Sequence, residues 1–346
     1  MANRDLKFRA MLQTEYATRF AQLDDTSPEE IRSAAKWFEA NIRRVRQLVA
    51  YLPQALGHTI MVHHLNCCAE LEVIGTLRDS VETRYDQPTA AKMQAALDRR
   101  AEVAQSRHEA EPDRINALQL DMGLNILERH ASIDVTMVQD SIETLMALQV
   151  IGTWTAVESV AGDLWEAAVN IHPRSLSLLN GTYNRIRKLS LDFDPPIADE
   201  EAIPGRKALK QINLEAIQGA GFDLTRHMGT LHRNSTRCRF DRLDGIRRCY
   251  SLAFPDKDSE GIDNALKQVT WDALSVLRNV LVHKAGLADS QYADAAKDLP
   301  GLPNVPIGSM VPLDGEMVAN LVNGVLDSVR DLVMAVDAWI RHHAIP

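Results

Sequence analysis

Arg278, Asn279 and His283 fall within six residues of an otherwise apolar stretch, R-N-V-L-V-H, which runs into K-A-G. A charged arginine is almost never fully buried without a partner, so a helix here needs a wet face or a ligand. On a wheel of about 100° per residue with Arg278 at zero, Ser275 falls near 60°, Asn279 near 100°, Asp272 near 120° and His283 near 140°. Trp271 and Val282 share that polar arc, while Ala273, Leu274, Val276, Leu277, Val280 and Leu281 cover most of the rest. Asn279 and His283 are four apart and stack on one face, and Arg278 has the reach to join them. Gly286 is placed as a glycine stop, which puts His283 in the last turn. A histidine works as acid or base near neutrality. An arginine beside it holds a phosphate or stabilises developing negative charge. Without a carboxylate cluster, this pair suits metal-free phosphodiester chemistry, in which a ribose 2′-hydroxyl attacks the adjacent phosphate. The competing reading is structural: His283 caps a helix end and Arg278 makes a salt bridge with Glu158 or Asp163.

A second chemistry-bearing stretch is MVHHLNCCAE, where His63 and Cys67 are four apart, as are His64 and Cys68. Two such residues on one helical turn suit zinc, but a full structural site takes four ligands. The nearest extra candidates are Glu70 and His58. Buried cysteine with polar histidine on the other face is the commoner arrangement, so no metal or other cofactor is expected. Glycine-rich phosphate loops, G-x-S-x-G and H-E-x-x-H are absent from the sequence.

The whole chain bounds these choices. Its 346 residues suggest about two domains. The charged start and the lack of a bilayer-length apolar run make a soluble, cytoplasmic protein with no membrane partner the default. The four cysteines show no disulfide framework and are expected to be reduced. A net charge of −9 counts against nonspecific coating of nucleic acid. Charge is unevenly placed, however. Residues 206–248 hold ten Lys/Arg and four acids, a local balance of +6. Arg226, Arg233, Arg237 and Arg239 in this segment are candidate RNA contacts. Its alternative role is a solvated helical face paired with acids elsewhere.

Helical periodicity dominates and strand alternation is scarce. Ser27-Pro28-Glu29-Glu30 starts a helix towards Tyr51, Pro53 starts another towards Arg84, and Pro88 and Pro112 open two more. Residues 1–130 therefore read as an N-terminal antiparallel helical region. Residues 141–170 form a long amphipathic helix on Leu145, Leu148, Ile151, Trp154, Val157, Ala161, Leu164 and Ala168, ended by His172-Pro173. Proline, glycine and acids mark 189–205 as a linker. Helices are expected near 206–219, 223–235, 239–252 and 263–285. An irregular connection with at most one short element follows, then a final helix over 315–343 with a stripe of Val318, Leu321, Val325, Leu332, Val336 and Trp339. The fold class is all-α.

In this setting RNVLVHKAGLAD resembles the signature of HEPN (higher eukaryotes and prokaryotes nucleotide-binding) proteins: Arg, four to six residues, then His, often with a polar residue straight after the Arg. Arg278, Asn279 and His283 match those positions. TWTAVESVAGDLW is similar to the first long helix of that domain and the closing helix to its last, so the resemblance covers about 135–346. Arg226 and His232 repeat the bare spacing but lack the surrounding pattern. The resemblance implies a HEPN-like helical bundle that dimerises, with Arg and His of two protomers in a composite site. It implies a metal-independent endoribonuclease of a toxin–antitoxin, abortive-infection or antiviral system, with a cognate antitoxin or sensor protein as partner. His283 would be the general acid/base, Arg278 would stabilise the transition state, Asn279 would orient the phosphate and Glu158 would hold Arg278. The alternative within the family is a noncatalytic module that binds RNA or a partner protein.

Overall fold

A computed structural model describes residues 7–13, 23–75, 86–133, 137–182, 185–186, 226–234, 238–255 and 257–343. Among them the fold is all-α, with no strand beyond one isolated bridge between Leu287 and Met310. The helices are α1 (Phe8–Gln13), α2 (Glu29–Ile74), α3 (Gln87–Ala110), α4 (Pro112–Ile133), α5 (Met137–Ile171) and α6 (Pro173–Leu176). They continue with α7 (Met228–Arg233), α8 (Leu243–Ala253), α9 (Glu260–Leu266), α10 (Val269–His283), α11 (Ser290–Asp298) and α12 (Gly315–His342). None of these helices is long and apolar enough to cross a membrane.

The chain divides into two compact units. One comprises Met1–Asp5 and Arg46–Glu143, the other Leu6–Val45 and Thr144–Pro346. The division differs from the expected 1–130 and 135–346, because the N-terminal limb belongs with the C-terminal helices. Phe8, Met11 and Leu12 of α1 are buried, and α1 packs on α12. Ile31, Phe38 and Ile42 of the first part of α2 are buried as well.

In the first unit α2 and α4 run antiparallel at backbone contact. A methyl group on Gly57 would fall 1.7 Å from the Gln119 carbonyl oxygen, and one on Gly123 would fall 1.7 Å from that of Pro53. Two glycines four residues from their partners' contact points thus let the helix axes approach. Pro53 does not start a helix, as expected from sequence, but lies inside α2. A proline removes one backbone donor, and here α4 packs against that very turn. Glu72 receives Arg99 at 2.7 Å and Arg100 at 2.8 Å, which ties α3 to α2.

In the second unit α12 is the central helix, contacting α1, α9 and α10. Its expected stripe, from Val318 to Trp339, is buried throughout. Along α5 the expected stripe holds from Trp154 onward. Before it, Ile142, Met146 and Val150 are buried, whereas Leu148 is exposed. Trp165 Nε1 donates to Cys249 O (3.0 Å) and Tyr250 Oη donates to Ala161 O (2.9 Å), fixing α8 on α5. The expected helix over 263–285 is two helices, α9 and α10. Side chains satisfy the carbonyls at the break, since Arg247 Nε reaches Leu266 O (2.9 Å) and Trp271 Nε1 reaches Ala265 O (3.1 Å). The expected linker at 189–205 and helix at 206–219 lie outside the described residues.

A cleft formed by Arg278, Asn279 and His283

Helix α10 positions the site. At its start Thr270 Oγ1 bonds Gly324 O of α12 at 3.2 Å, close to Ser328 at 3.0 Å. At its end the Gly286 N–H reaches back to Val280 O at 3.0 Å, with Ala285 and Gly286 both at positive φ. Those two left-handed residues end the helix and leave His283 in its last turn, exposed.

Arg278, Asn279 and His283 line one cleft of about 240 Å³ together with Ser275, Trp154, Asp241, Arg242 and Leu243. Three elements meet there: α10, the middle of α5, and the residues that open α8. Arg278 Nη1 donates to Asn279 Oδ1 (3.0 Å), and Nη2 stands 3.8 Å from Glu158 Oε1. Its Nε is buried without a hydrogen-bond partner among the described residues. Glu158 also accepts a hydrogen bond from Trp154 Nε1. Burial raises the Glu158 carboxyl above its ordinary value, with Asp241 adding repulsion; the Trp154 bond and the Arg278 charge work the other way but do not prevail. Burial likewise pushes Asp241 up, but the hydrogen bonds and charge of Arg239 outweigh it and the net shift is downward. The cleft therefore joins a cation held loosely, a histidine open to solvent, an amide, and an ionised carboxylate engaged by an arginine.

Several expected features are corrected. Trp271 does not share the wet arc: it is fully buried, edge-on to Trp154 with ring centroids 6.5 Å apart. Asp272 turns away from the cleft to grip Arg247 through two contacts of 2.7 Å. Asp163, the other acid considered for Arg278, binds Arg233 instead, and Glu166 joins it. Arg233 and Arg239 are each paired with acids, and Arg247 is buried. Arg226 is exposed, and Arg237 lies outside the described residues. His232 contacts Ser177 O at 2.9 Å and packs edge-on to Trp165, a structural setting. Glu158 stands at Arg278, a contact common to the catalytic and the purely structural expectation. Asp241, Arg242 and Leu243 were missed, and no local pattern could have found them.

The second constellation also differs from expectation. Cys67 and Cys68 do not turn away from the histidines. Cys67 Sγ lies 3.5 Å from His63 Nε2, and Cys68 Sγ lies 3.6 Å from His64 Nε2.

No family model matches the chain, and neither a curated protein nor a solved structure does.

Proposed function

We propose that the α10 cleft is an endoribonuclease site of HEPN type that cleaves RNA without a metal ion, acting as a toxin or antiviral effector. The observation that carries this reading is the convergence of Arg278, Asn279 and His283 on one cleft. His283 takes the proton from a ribose 2′-hydroxyl, and the 2′-oxygen attacks the adjacent phosphorus. The P–O5′ bond breaks, leaving a 2′,3′-cyclic phosphate and a 5′-hydroxyl once the leaving oxygen is protonated. Arg278 neutralises charge on the phosphoryl oxygens, and the Asn279 amide orients the phosphate. Asp241, the carboxylate among the cleft-lining residues, is paired with Arg239, which supports a metal-independent route.

The active unit is a homodimer in which a second copy's His283 protonates the leaving oxygen. Val282, next to His283, and Leu287 and Met310, paired across the bridge that follows α10, are exposed apolar side chains suited to that contact. A cognate antitoxin or sensor would act by covering this face.

The test is cleavage of a defined RNA in EDTA, with analysis of the new ends. A 2′,3′-cyclic phosphate formed in EDTA is expected. Binding without cleavage, or cleavage only with added Mg²⁺, would overturn the reading.

A further inference from the structure

Ser275 lines the cleft one helical turn before Asn279, on the same face of α10. A serine or threonine inside a helix often turns its hydroxyl back onto the carbonyl four residues earlier. Ser141, Thr155, Ser159 and Ser328 all do so in this fold. Ser275 does not. It is half-buried, and among the described residues its hydroxyl has no hydrogen-bond partner. The Asn279 amide is placed in a similar way. A guanidinium only donates, so the Asn279 atom that Arg278 Nη1 meets at 3.0 Å is the carbonyl oxygen. The amide NH2 is then turned away from Arg278, and among the described residues it too has no partner. Two further polar groups of the cleft are already engaged, Trp154 Nε1 by Glu158 and the Asp241 carboxylate by Arg239. The floor of the cleft thus offers two neutral donors side by side, next to a cation.

We infer that Ser275 is a phosphate-binding residue of this cleft, its hydroxyl and the Asn279 amide together holding one non-bridging oxygen while Arg278 faces the other. The inference rests on the reading of the cleft as a site of RNA cleavage. Residues four apart on a helix hold their Cβ atoms about 5–6 Å apart. The Asn279 side chain leans towards the N-terminus of α10, and so towards Ser275. One oxygen can then accept from both at about 2.7–3.0 Å. An occupant without an acceptor would leave both donors desolvated and unmade, so the cleft selects an oxyanion over an amine or an apolar group.

The test uses three RNAs that differ only at the cleaved linkage: the natural phosphate and the two phosphorothioate diastereomers, each with sulfur in place of one non-bridging oxygen. Sulfur accepts hydrogen bonds poorly, so the wild type should cleave slowly the diastereomer whose sulfur faces Ser275. Ser275→Ala should cleave the natural RNA about 10²-fold more slowly, the cost of one lost oxyanion donor. In that variant the same diastereomer should lose its extra penalty, while the other keeps its own. Alanine is the best helix former, so α10 should hold its stability. A serine with a merely structural role would slow all three RNAs by one factor or none, and either result overturns the inference. Binding separates this outcome from failure of the cleavage reading. A dinucleotide with a 2′-deoxy sugar before its single phosphate cannot be cut, and its affinity is measured with the same two sulfur substitutions. If the wild type binds it but never cleaves RNA, the endoribonuclease reading falls. A sulfur effect on affinity that vanishes in Ser275→Ala would still support the inference, and no such effect, or no binding, would overturn it.

Discussion

Arg278 stands 3.8 Å from Glu158, whereas Arg247 is clamped by Asp272 through two contacts of 2.7 Å. The two ion pairs share helix α10 and differ in what they leave free. Arg247 has spent its charge inside the fold. Arg278 touches Glu158 at this longer distance, bonds Asn279 and lines the cleft without a bidentate carboxylate.

Glu158→Gln should separate orientation from stability. The folded carboxyl is raised above its ordinary 4.5 by burial. A raised acid stabilises the fold below 4.5, and that contribution is lost as pH rises through the folded value. The variant cannot ionise, so its urea stability should fall less than wild type between pH 4 and 7. Cleavage should nonetheless drop about tenfold or more, since Arg278 loses its anchor. Unchanged cleavage would remove Glu158 from the site.

Asp272→Ala should be costly in another way. It leaves the Arg247 guanidinium, with 6% of its side chain exposed, without its carboxylate. Breaking such a pair costs about 3–5 kcal/mol. Chemical denaturation should show a loss of that size, and a loss under about 1 kcal/mol would contradict a structural role.

The basic segment yields a paired comparison. Arg226 is exposed, whereas Arg233 is bound by Asp163 and Glu166. If RNA meets this surface, Arg226→Ala should lower the slope of log affinity against log salt by about 1. Arg233→Ala should leave the slope alone and lower stability. The reverse pattern would mean that Arg233 leaves its acids to bind RNA.

These contrasts mark what was legible in the sequence. Prolines and caps located the helix starts at Glu29, Gln87 and Pro112, because those signals act over one turn. The polar arc of α10 was legible in part. A wheel knows the angle about one axis but not which neighbour covers each level. Trp271 and Asp272 lie at the start of the helix, where Trp154, the α9 end and Arg247 cover the arc. Ser275 to His283 lie further along, where the cleft opens. Asp241 and Arg242 join them only because Trp165 and Tyr250 fix α8 on α5, a contact between residues far apart in the chain. The same distance hid the partners of Arg233 and Arg247. Pro53 misled for a physical reason: the cost of one missing donor is met by packing on α4, which local sequence does not show.

The central claim is that His283 is the acid/base of RNA cleavage, and single-turnover cleavage by His283→Ala tests it most directly. His283 is exposed at the end of α10, so its loss should change unfolding free energy by no more than about 0.5 kcal/mol. The cleavage rate should fall by about 10²-fold or more, while His232→Ala cleaves at a rate close to wild type. A folded His283→Ala protein that cleaves RNA at the wild-type rate would contradict the account.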